Sequence, residues 1–263
     1  MPHSVFGKGQ QARCRLWRGG KLKLDIDRCF FAYRRRVVFD ALSYTLRAGT
    51  TILLGPNGAG KSTLLSLAAA VRYPQSGSIT YGNVSSRDRT FRKYVAWMPQ
   101  NITPIAHLNA REQVAYTGWA KGMSKNDAWE RARTALERVG MGSHVKSKAS
   151  QLSGGELRRV GVAQALVHDA HVILMDEPTA GMDPHQRRVF RNAISQLDDV
   201  AVLLSTHDVA DLAEEADHVT VLNEGAITYD GATEGFLANA PSGTPPGRRA
   251  EAAYTALCVE TAR

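Results

Sequence analysis

One eight-residue stretch, GPNGAGKS at residues 55–62, constrains this chain more strongly than any other part of the sequence. It fits the pattern G-x-x-x-x-G-K-[ST], and it lies between a short apolar run, TTILL, and a helix-like run, KSTLLSLAAAV. In that context the glycines let backbone N–H groups turn inward around a phosphate. The alternative is a glycine-rich turn that binds nothing, but the preceding strand and the following helix argue against it. The stretch therefore predicts a nucleoside triphosphate site.

Two residues of this stretch can be given separate roles. Lys61 reaches the β- and γ-phosphate oxygens, and the Ser62 hydroxyl is placed to ligate Mg²⁺. The residues that we assign to nucleotide binding here are Gly55, Pro56, Asn57, Gly58, Ala59, Gly60, Lys61, Ser62 and Thr63. A phosphate loop alone indicates only that a nucleoside triphosphate binds. Hydrolysis of that triphosphate also requires a strand that carries carboxylates.

The run VILMDEP supplies that element, since its four apolar residues predict a buried parallel strand. Asp176 stands at the carboxyl end of this strand, where ligands bind in open α/β sheets, and it is placed to hold Mg²⁺. Glu177 follows directly and is the candidate to polarise the attacking water. The alternative is that both carboxylates cap the next turn. Beside a phosphate loop we favour the chemical role.

The order of the predicted elements indicates an α/β fold. From VILMD onwards, strand-like runs alternate with helix-like runs, which is typical of a parallel sheet covered by helices. Between about residues 92 and 151 the pattern turns helical and predicts an insert. We expect a basic, disordered arm at 1–20, a nucleotide-binding domain at 21–240, and a linker with a short helix at 241–263.

Composition limits the classes of protein to consider. Of the 263 residues, 43% are hydrophobic, which is enough for a sizeable core. No apolar run approaches the roughly 18–20 residues that span a bilayer, and the N-terminus lacks the apolar segment of a secretory signal. The three cysteines, Cys14, Cys29 and Cys258, form no CxxC pair, which argues for free thiols in a reducing compartment and against a metal site.

The net charge of +8 is concentrated at the N-terminus. Residues 1–36 carry ten Lys or Arg and two acidic residues, so the remainder of the chain is balanced. Such an arm could meet anionic lipid or nucleic acid. A solvated, poorly ordered terminus is the interpretation that we favour.

A third stretch, LSGGELRRVGVAQAL at residues 152–166, places small polar residues ahead of an apolar-periodic helix. The spacing of Ser153 and Glu156 is that of a helix capping box. Gly154 and Gly155 favour a further role, because paired glycines let a backbone come close to a ligand. One ATP has only one triphosphate, and residues 55–62 already hold it. The stretch at 153–156 is therefore expected to face an ATP that is bound by another copy of the fold.

Together these motifs resemble those of the ATP-binding subunits of ABC transporters. GPNGAGKS, LSGGE and VILMDEPTAGMD occur in that family's order, and the resemblance covers nearly all of residues 21–235. Glu156 stands where glutamine is commoner in the family. The resemblance implies an α/β P-loop core with a mainly parallel sheet, an N-terminal antiparallel β subdomain and a helical insert that bears the LSGGE signature. It also implies that two such domains enclose two ATP, each between one P-loop and the other domain's signature.

The resemblance assigns roles to four further residues. It implies that Gln100 senses Mg²⁺ and the water and flexes toward a membrane subunit, and that His207 contacts the γ-phosphate. Standing alone, these two would be an ordinary turn residue and a strand-end residue. Asp183 corresponds to a loop that crosses the dimer seam. Tyr33 corresponds to the aromatic residue that stacks on adenine; Phe30 and Phe31 lie close by, and the alternative is that any of the three belongs to the core.

The expected function is ATP hydrolysis coupled to transmembrane transport. ATP and Mg²⁺ are the expected cofactors, and an identical copy or a paired ATPase subunit completes the dimer. The resemblance further implies an integral membrane permease on a separate chain and a place at the cytoplasmic face of the membrane. Export of a drug, a peptide or another small molecule is favoured, with an importer subunit as the alternative.

Two other classes of protein share these motifs. A DNA-repair or chromosome-organising ATPase needs long heptad arms between the P-loop and the signature, and this sequence has none, so no nucleic acid is expected as a partner. A soluble ATPase of an assembly complex stays an alternative. Within the predicted insert, Tyr116 and Trp119 lie among apolar residues, and we expect a groove there for a helix of the membrane partner.

Overall fold

The computed structural model describes residues 23–197, 199–206 and 216–260, with the backbone alone for 259 and 260. The strands are β1 Leu24–Tyr33, β2 Arg36–Leu46, β3 Gly49–Leu54, β4 Ser76–Tyr81, β5 Val84–Ser85, β6 Val95–Met98, β7 Val172–Asp176, β8 Ala201–Ser205, β9 His218–Asn223 and β10 Ala226–Ala232. The α-helices are α1 Lys61–Ala68, α2 Phe91–Tyr94, α3 Ala110–Ala120, α4 Lys125–Arg138, α5 Gly154–Leu166, α6 Pro184–Ser195, α7 Thr233–Leu237 and α8 Arg249–Glu260.

A six-stranded sheet in the order β10-β9-β3-β8-β7-β6 forms the centre of the fold. β9, β3, β8, β7 and β6 run parallel, and β10 is antiparallel to β9 at one edge. β7 is buried along its whole length, which is why its sequence is continuously apolar. Because β3, β7 and β8 are parallel neighbours, their carboxyl ends bring the loop at 55–62 to the same edge as Asp176.

A second sheet, β2-β1-β4-β5, is antiparallel throughout. Its apolar face, which includes Leu24 and Ile26 of β1, packs with α1 against one face of the central sheet. That face of the central sheet presents Leu53, Leu174 and Leu203. The mainly parallel sheet and the separate antiparallel sheet agree with the fold class expected from the sequence.

The opposite face of the central sheet carries most of the helices. Since side chains alternate along a strand, Ile52 and Ile173 point away from the antiparallel sheet and into a second core. Residues of α3, α4, α5, α6 and α8 fill that core. The buried face of α4 and of the residue that caps it consists of Ala128, Ala132, Ala135, Leu136 and Val139.

The helical insert begins later than the sequence pattern suggested. Residues 95–98, inside the range expected to be helical from about 92, form β6 and pair in parallel with β7. The apolar run VAWM is too short for a stable helix, and as the edge strand beside β7 its backbone forms parallel-sheet hydrogen bonds along one side. Helix α3 of the insert begins at Ala110, and the side chains of Asn109 and Glu112 form a capping box at its start.

Several expectations concern residues outside the described ranges. These are the basic arm at 1–20, Cys14 and His207. Across the part of the chain that the structure describes, no helix is both long and apolar enough to cross a bilayer. Cys29 lies in the core, and burial raises the pKa of its thiol to about 11.

Candidate nucleotide-binding site

The loop between β3 and α1 owes its shape to glycines. Gly60 precedes α1 with a φ of 109°, in the left-handed region, and it offers no side chain to cap the helix. The N–H groups of the first turn therefore face the loop without a side-chain acceptor, which makes them donors for an anion. At Gly55 a Cβ would lie 2.2 Å from the carbonyl oxygen of Leu222, so only glycine fits between the loop and β9.

Lys61 lies across the mouth of this loop. Its side chain is 7% exposed, and its Nζ donates to the carbonyl oxygens of Gly55 at 2.6 Å and Pro56 at 3.1 Å. Burial lowers the pKa of this lysine, while the nearby carboxylates of Glu177 and Asp176 act in the opposite direction. The ammonium group of Lys61 is thus held where it would contact the oxygens of a bound phosphate chain.

A cleft of about 660 Å³ opens over this loop, a volume typical of small-molecule sites. Its walls are formed by Tyr33, Arg36, Val37, Val38, Pro56, Asn57, Gly58, Ala59, Gly60, Lys61, Ser62, Thr63, Gln100, Glu177, Asn223, Glu224 and Gly225. The residues predicted from the P-loop motif are therefore together, with Gly55 directly beneath them.

Tyr33 is the aromatic residue of β1 that reaches the cleft. It is 40% exposed, and the guanidinium carbon of Arg72 lies 5.0 Å from its ring centroid. Phe31 is 6% exposed and packs edge-on against the same ring. Phe30 does not line the cleft. Of the three aromatic side chains considered from the sequence, only Tyr33 presents a face that a flat base could contact.

The carboxylate edge of the site is organised by Ser205 at the end of β8. Asp176 is 4% exposed, and its Oδ1 accepts a 2.6 Å hydrogen bond from the Ser205 hydroxyl. The same oxygen of Ser205 accepts the backbone N–H of Glu177 at 2.9 Å. One serine thereby fixes both the predicted Mg²⁺ ligand and the residue that follows it.

Glu177 has a backbone conformation that is rare for its residue type. Its φ of 48° lies in the left-handed region, which costs about 1–3 kcal/mol for a residue other than glycine. The conformation turns the side chain into the cleft, where Oε2 accepts from Nε2 of Gln100 at 3.1 Å. The structure thus brings together the glutamate and the glutamine that the sequence analysis assigned to the attacking water.

The stretch at 153–156 forms a complete capping box at the start of α5. The Glu156 N–H donates to the Ser153 hydroxyl oxygen at 3.3 Å, and Glu156 Oε2 accepts the Ser153 N–H at 2.8 Å. The Ser153 N–H, and after it the Ser153 hydroxyl, donate to the Glu156 carboxylate and hold its pKa below the ordinary value. The stretch does not line the cleft of its own chain.

The two glycines of this stretch are not explained by contacts within the chain. A Cβ at Gly154 would meet nothing within 4 Å, and one at Gly155 would make only ordinary contacts, at 3.5 Å to Gln186 and 3.6 Å to Gly181. Neither glycine has a positive φ. Since glycine weakens a helix relative to alanine, the chain keeps an exposed surface without side chains at some cost to its own stability.

Asp183 and His207 complete the set of predicted residues. Asp183 is exposed and precedes α6, where its Oδ1 accepts the N–H of Gln186 at 2.8 Å. It does not line the cleft. His207 lies outside the described residues. The structure thus groups Tyr33, the P-loop, Gln100 and Glu177 around one cleft, with Asp176 behind them, and leaves Asp183 and the 153–156 stretch apart.

Comparison with known proteins decides the family. A family model described as "ABC transporter" matches residues 39–180, more than half of the chain. The chain belongs to the ABC transporter family. This confirms the resemblance that the motifs indicated, and the expected cofactors, ATP and Mg²⁺, are those of ABC ATPases.

Relatives of this ABC protein include proteins named for import and one named for linearmycin resistance. The linearmycin resistance ATP-binding protein of Bacillus subtilis is 31% identical, over 74% of this chain and 65% of that protein. The sulfate/thiosulfate import ATP-binding protein of Mycolicibacterium paratuberculosis is 32% identical, over 83% and 64%. The phosphonates import ATP-binding protein of Rhodopseudomonas palustris is 34% identical, over 75% and 79%. The chain spans less than two thirds of the length of the first two.

Solved structures agree on the ABC fold. An ATP-binding subunit of an ABC transporter superposes with a TM-score of 0.78 at 21% identity, covering 92% of this chain and all of that one. A bacterial ABC transporter cassette solved as a dimer superposes with a TM-score of 0.73 at 23% identity, covering 80% of this chain and 98% of that one.

Sequence analysis missed several residues of this ABC site. They are Arg36, Asn223, Glu224 and Gly225 in the cleft wall, and Arg158 and Ser205 behind it. A signal existed for Ser205 alone. The runs VILMD and VAVLLST are successive strands of a parallel sheet, so their carboxyl ends lie side by side, and Asp176 does pair with Ser205.

Replacing Ser205 by alanine is expected to lower the free energy of unfolding by about 1–3 kcal/mol, because the buried Asp176 carboxylate loses a hydrogen-bond donor. Urea unfolding measures this change. The control is Ser195→Ala, which removes an exposed hydroxyl that bonds only to the carbonyl of Asn192 among the described residues. A loss no larger than that of the control would contradict the role given to Ser205.

Proposed function

We propose that this chain is the ATP-hydrolysing subunit of an ABC transporter and that it dimerises around two ATP, with an identical copy or a paired subunit. One observation carries the proposal. The stretch at 153–156 places a helix N-terminus and two glycines at the surface, a setting that suits an anion, yet it does not line the cleft of its own chain. No contact among the described residues requires glycine at either position. A phosphate chain held in the cleft of a second subunit accounts for both facts.

The donor set of the cleft fits a triphosphate with Mg²⁺. The N–H groups at the start of α1 and the ammonium of Lys61 suit phosphate oxygens. Ser62 and Asp176 supply a hydroxyl and a carboxylate, which are hard oxygen ligands, and Gln100 adds an amide oxygen on the same side. When bound, Mg²⁺ neutralises charge that develops on the phosphate oxygens.

The residues of this chain would divide the reaction between them. The ring of Tyr33 would stack on the base, and residues 56–63 would hold the phosphates. Glu177 would accept a proton from the attacking water, whose position Gln100 would help to fix. His207 would contact the γ-phosphate, and Asp183 would face the seam between subunits.

The second subunit would close the site with its own 153–156 stretch. Ser153 Oγ already donates to Glu156 Oε2 at 2.8 Å, so the serine would exchange this acceptor for a phosphate oxygen. Two solved structures with the same fold support a dimer: a cassette solved as a dimer, and a dimeric post-hydrolysis state of that cassette bound to ADP and Pi.

A surface on α3 is proposed as the contact with a membrane permease on a separate chain, at the cytoplasmic face of the membrane. Tyr116 is 51% exposed and Trp119 is 50% exposed, with their ring centroids 5.9 Å apart. Exposed aromatic pairs of this kind are typical of sites that anchor a partner helix. We call these two residues the α3 aromatic pair.

Charge on the α3 aromatic pair is expected to uncouple the two activities. Trp119→Glu should lower transport by at least about tenfold, because a buried charge at the centre of an interface costs more than 1.4 kcal/mol, while basal ATPase activity stays within about twofold of wild type. Both rates are measured in vesicles that contain the permease. Thr134→Glu on the exposed side of α4 is the control. Equal loss of both activities would point to misfolding and contradict this surface.

Export is the direction that we propose, supported by the relative named for linearmycin resistance. Import is a second candidate, because relatives named for sulfate, iron and phosphonate import match over 231, 199 and 216 residues, against 201 for the resistance protein. Cells that lack the chain distinguish the two. Export predicts greater sensitivity to amphiphilic antibiotics with unchanged uptake of labelled sulfate, iron and phosphonate. Import predicts the loss of one such uptake activity with unchanged sensitivity.

A further inference from the structure

Arg158 joins the signature helix to the backbone of Glu177. It lies on α5, five residues after Ser153, and its Nη1 donates a hydrogen bond to the Glu177 carbonyl oxygen. Nothing in the function proposed above uses this side chain. It is the point at which α5, which begins at the 153–156 stretch, contacts the predicted catalytic glutamate.

The backbone of Glu177 is held from two directions. Ser205, on the central sheet, accepts its N–H, whereas Arg158, on the helical insert, donates to its carbonyl oxygen. The N–H of Ala180 also approaches that carbonyl, at 3.3 Å. Because the left-handed conformation of Glu177 persists only where its surroundings impose it, a shift of α5 would change the direction of the Glu177 side chain.

The segment of α5 between Ser153 and Arg158 is short and rigid. Five residues of helix span about 7–8 Å, so a ligand at Ser153 and the guanidinium of Arg158 belong to one rigid body. The body of α5 is anchored in the core by Val160, Val162 and Ala163. A ligand that pulls on the exposed start of the helix therefore moves Arg158 with it.

We propose that Arg158 positions Glu177 and thereby couples the two ATP sites of the dimer. One subunit contacts its partner's ATP through its 153–156 stretch. Through Arg158 that contact fixes the orientation of the first subunit's own Glu177. This Glu177 acts on the ATP in the first subunit's own cleft. Arg158 is a positioning residue and touches no substrate. The inference rests on the proposed function, because it requires a dimer with shared sites.

Arg158→Ala tests the proposal through kinetics. The turnover number should fall at least about tenfold with the KM for ATP within twofold of wild type, and the Hill coefficient for ATP should fall to about 1. Arg158→Lys keeps a charged donor and should retain more than half of the turnover. The matched control is Arg138→Ala, which also removes a guanidinium-to-carbonyl bond, at 3.1 Å to Ala193, but far from the cleft.

A second readout follows the backbone itself. Hydrogen exchange of residues 176–181 with ATP present is compared between Glu177→Gln and the double variant Glu177→Gln/Arg158→Ala. We expect faster exchange in the double variant. This comparison stays valid even if Glu177→Gln still hydrolyses ATP. That result would contradict the proposed catalytic role of Glu177, and the exchange rates would still decide whether Arg158 positions its backbone. Should Arg158→Ala not fold, Arg158→Gln takes its place in both experiments.

The proposal is overturned if turnover and Hill coefficient of the Arg158 variant match those of Arg138→Ala. It is overturned equally if turnover falls while exchange of residues 176–181 is unchanged, since Arg158 would then act by a route other than Glu177. Faster exchange together with the loss of cooperativity supports it.

Discussion

A chain that carries Glu177→Gln is expected to bind ATP with wild-type affinity and to hydrolyse it at least about a hundredfold more slowly, since general-base catalysis contributes 10²–10⁴-fold. The amide keeps the size of the side chain and an oxygen for Gln100 to contact, but it cannot accept a proton from water. ATP should therefore accumulate in a stabilised dimer. Phosphate release in steady state and gel filtration with ATP measure the two effects.

Glu224 offers a matched control for this experiment. It is an exposed carboxylate in the wall of the same cleft, so Glu224→Gln removes the same charge from the same space. Its turnover should stay within about twofold of wild type, because among the described residues no hydrogen bond orients its carboxylate as Gln100 orients that of Glu177. If Glu177→Gln also hydrolyses ATP within tenfold of wild type, Glu177 is not the group that activates the water.

Gly154→Asp is expected to stabilise the folded chain and to abolish ATP-driven dimerisation. An acidic residue in the first turn of α5 interacts favourably with the helix dipole by about 0.3–1 kcal/mol, and the new Cβ meets nothing in the chain. In the proposed dimer the same carboxylate would face a triphosphate, where like charges repel. Thermal unfolding should move up while hydrolysis falls at least about a hundredfold.

The opposite signs of the two effects make Gly154→Asp informative. A stretch that served only as a helix cap would gain stability and lose no activity. The control is Gly247→Asp, at an exposed position where a Cβ also meets nothing within 4 Å. It adds the same charge far from any proposed interface and should leave both dimerisation and hydrolysis unchanged.

Local sequence signals predicted the parts of the site that local chemistry shapes. The P-loop needs glycines at fixed positions, and the strand VILMD delivers Asp176 to the sheet edge, so motif and strand pattern were enough. Ser205 and Arg158 were missed because their importance arises from contacts between distant segments. The sequence does not predict which residue a single serine at a strand end will contact. The same is true of one of two adjacent arginines on a helix.

The wrong prediction at β6 and the two possible roles of the 153–156 stretch have a related cause, because both depend on a neighbouring segment or chain. VAWM becomes a strand because β7 lies beside it, which outweighs any local preference of four residues. The 153–156 stretch shows the converse limit. Its capping box was predicted and is present, but whether the same atoms also bind a ligand depends on a second chain that the sequence of one chain cannot describe.

Mixing two inactive variants tests the shared site most directly. A Lys61→Ala chain has a defective P-loop and an intact signature, and a Gly154→Asp chain has the reverse. In a mixed dimer one site carries both defects and the other carries neither. With equal amounts and random pairing, half of the dimers each contain one intact site, which sets a ceiling of roughly a quarter of wild-type ATPase activity. Because the intact site lacks the coupling through Arg158, the account predicts a gain below that ceiling and above the activity of either variant alone. No gain on mixing, at concentrations where co-purification shows the mixed dimer, would contradict it.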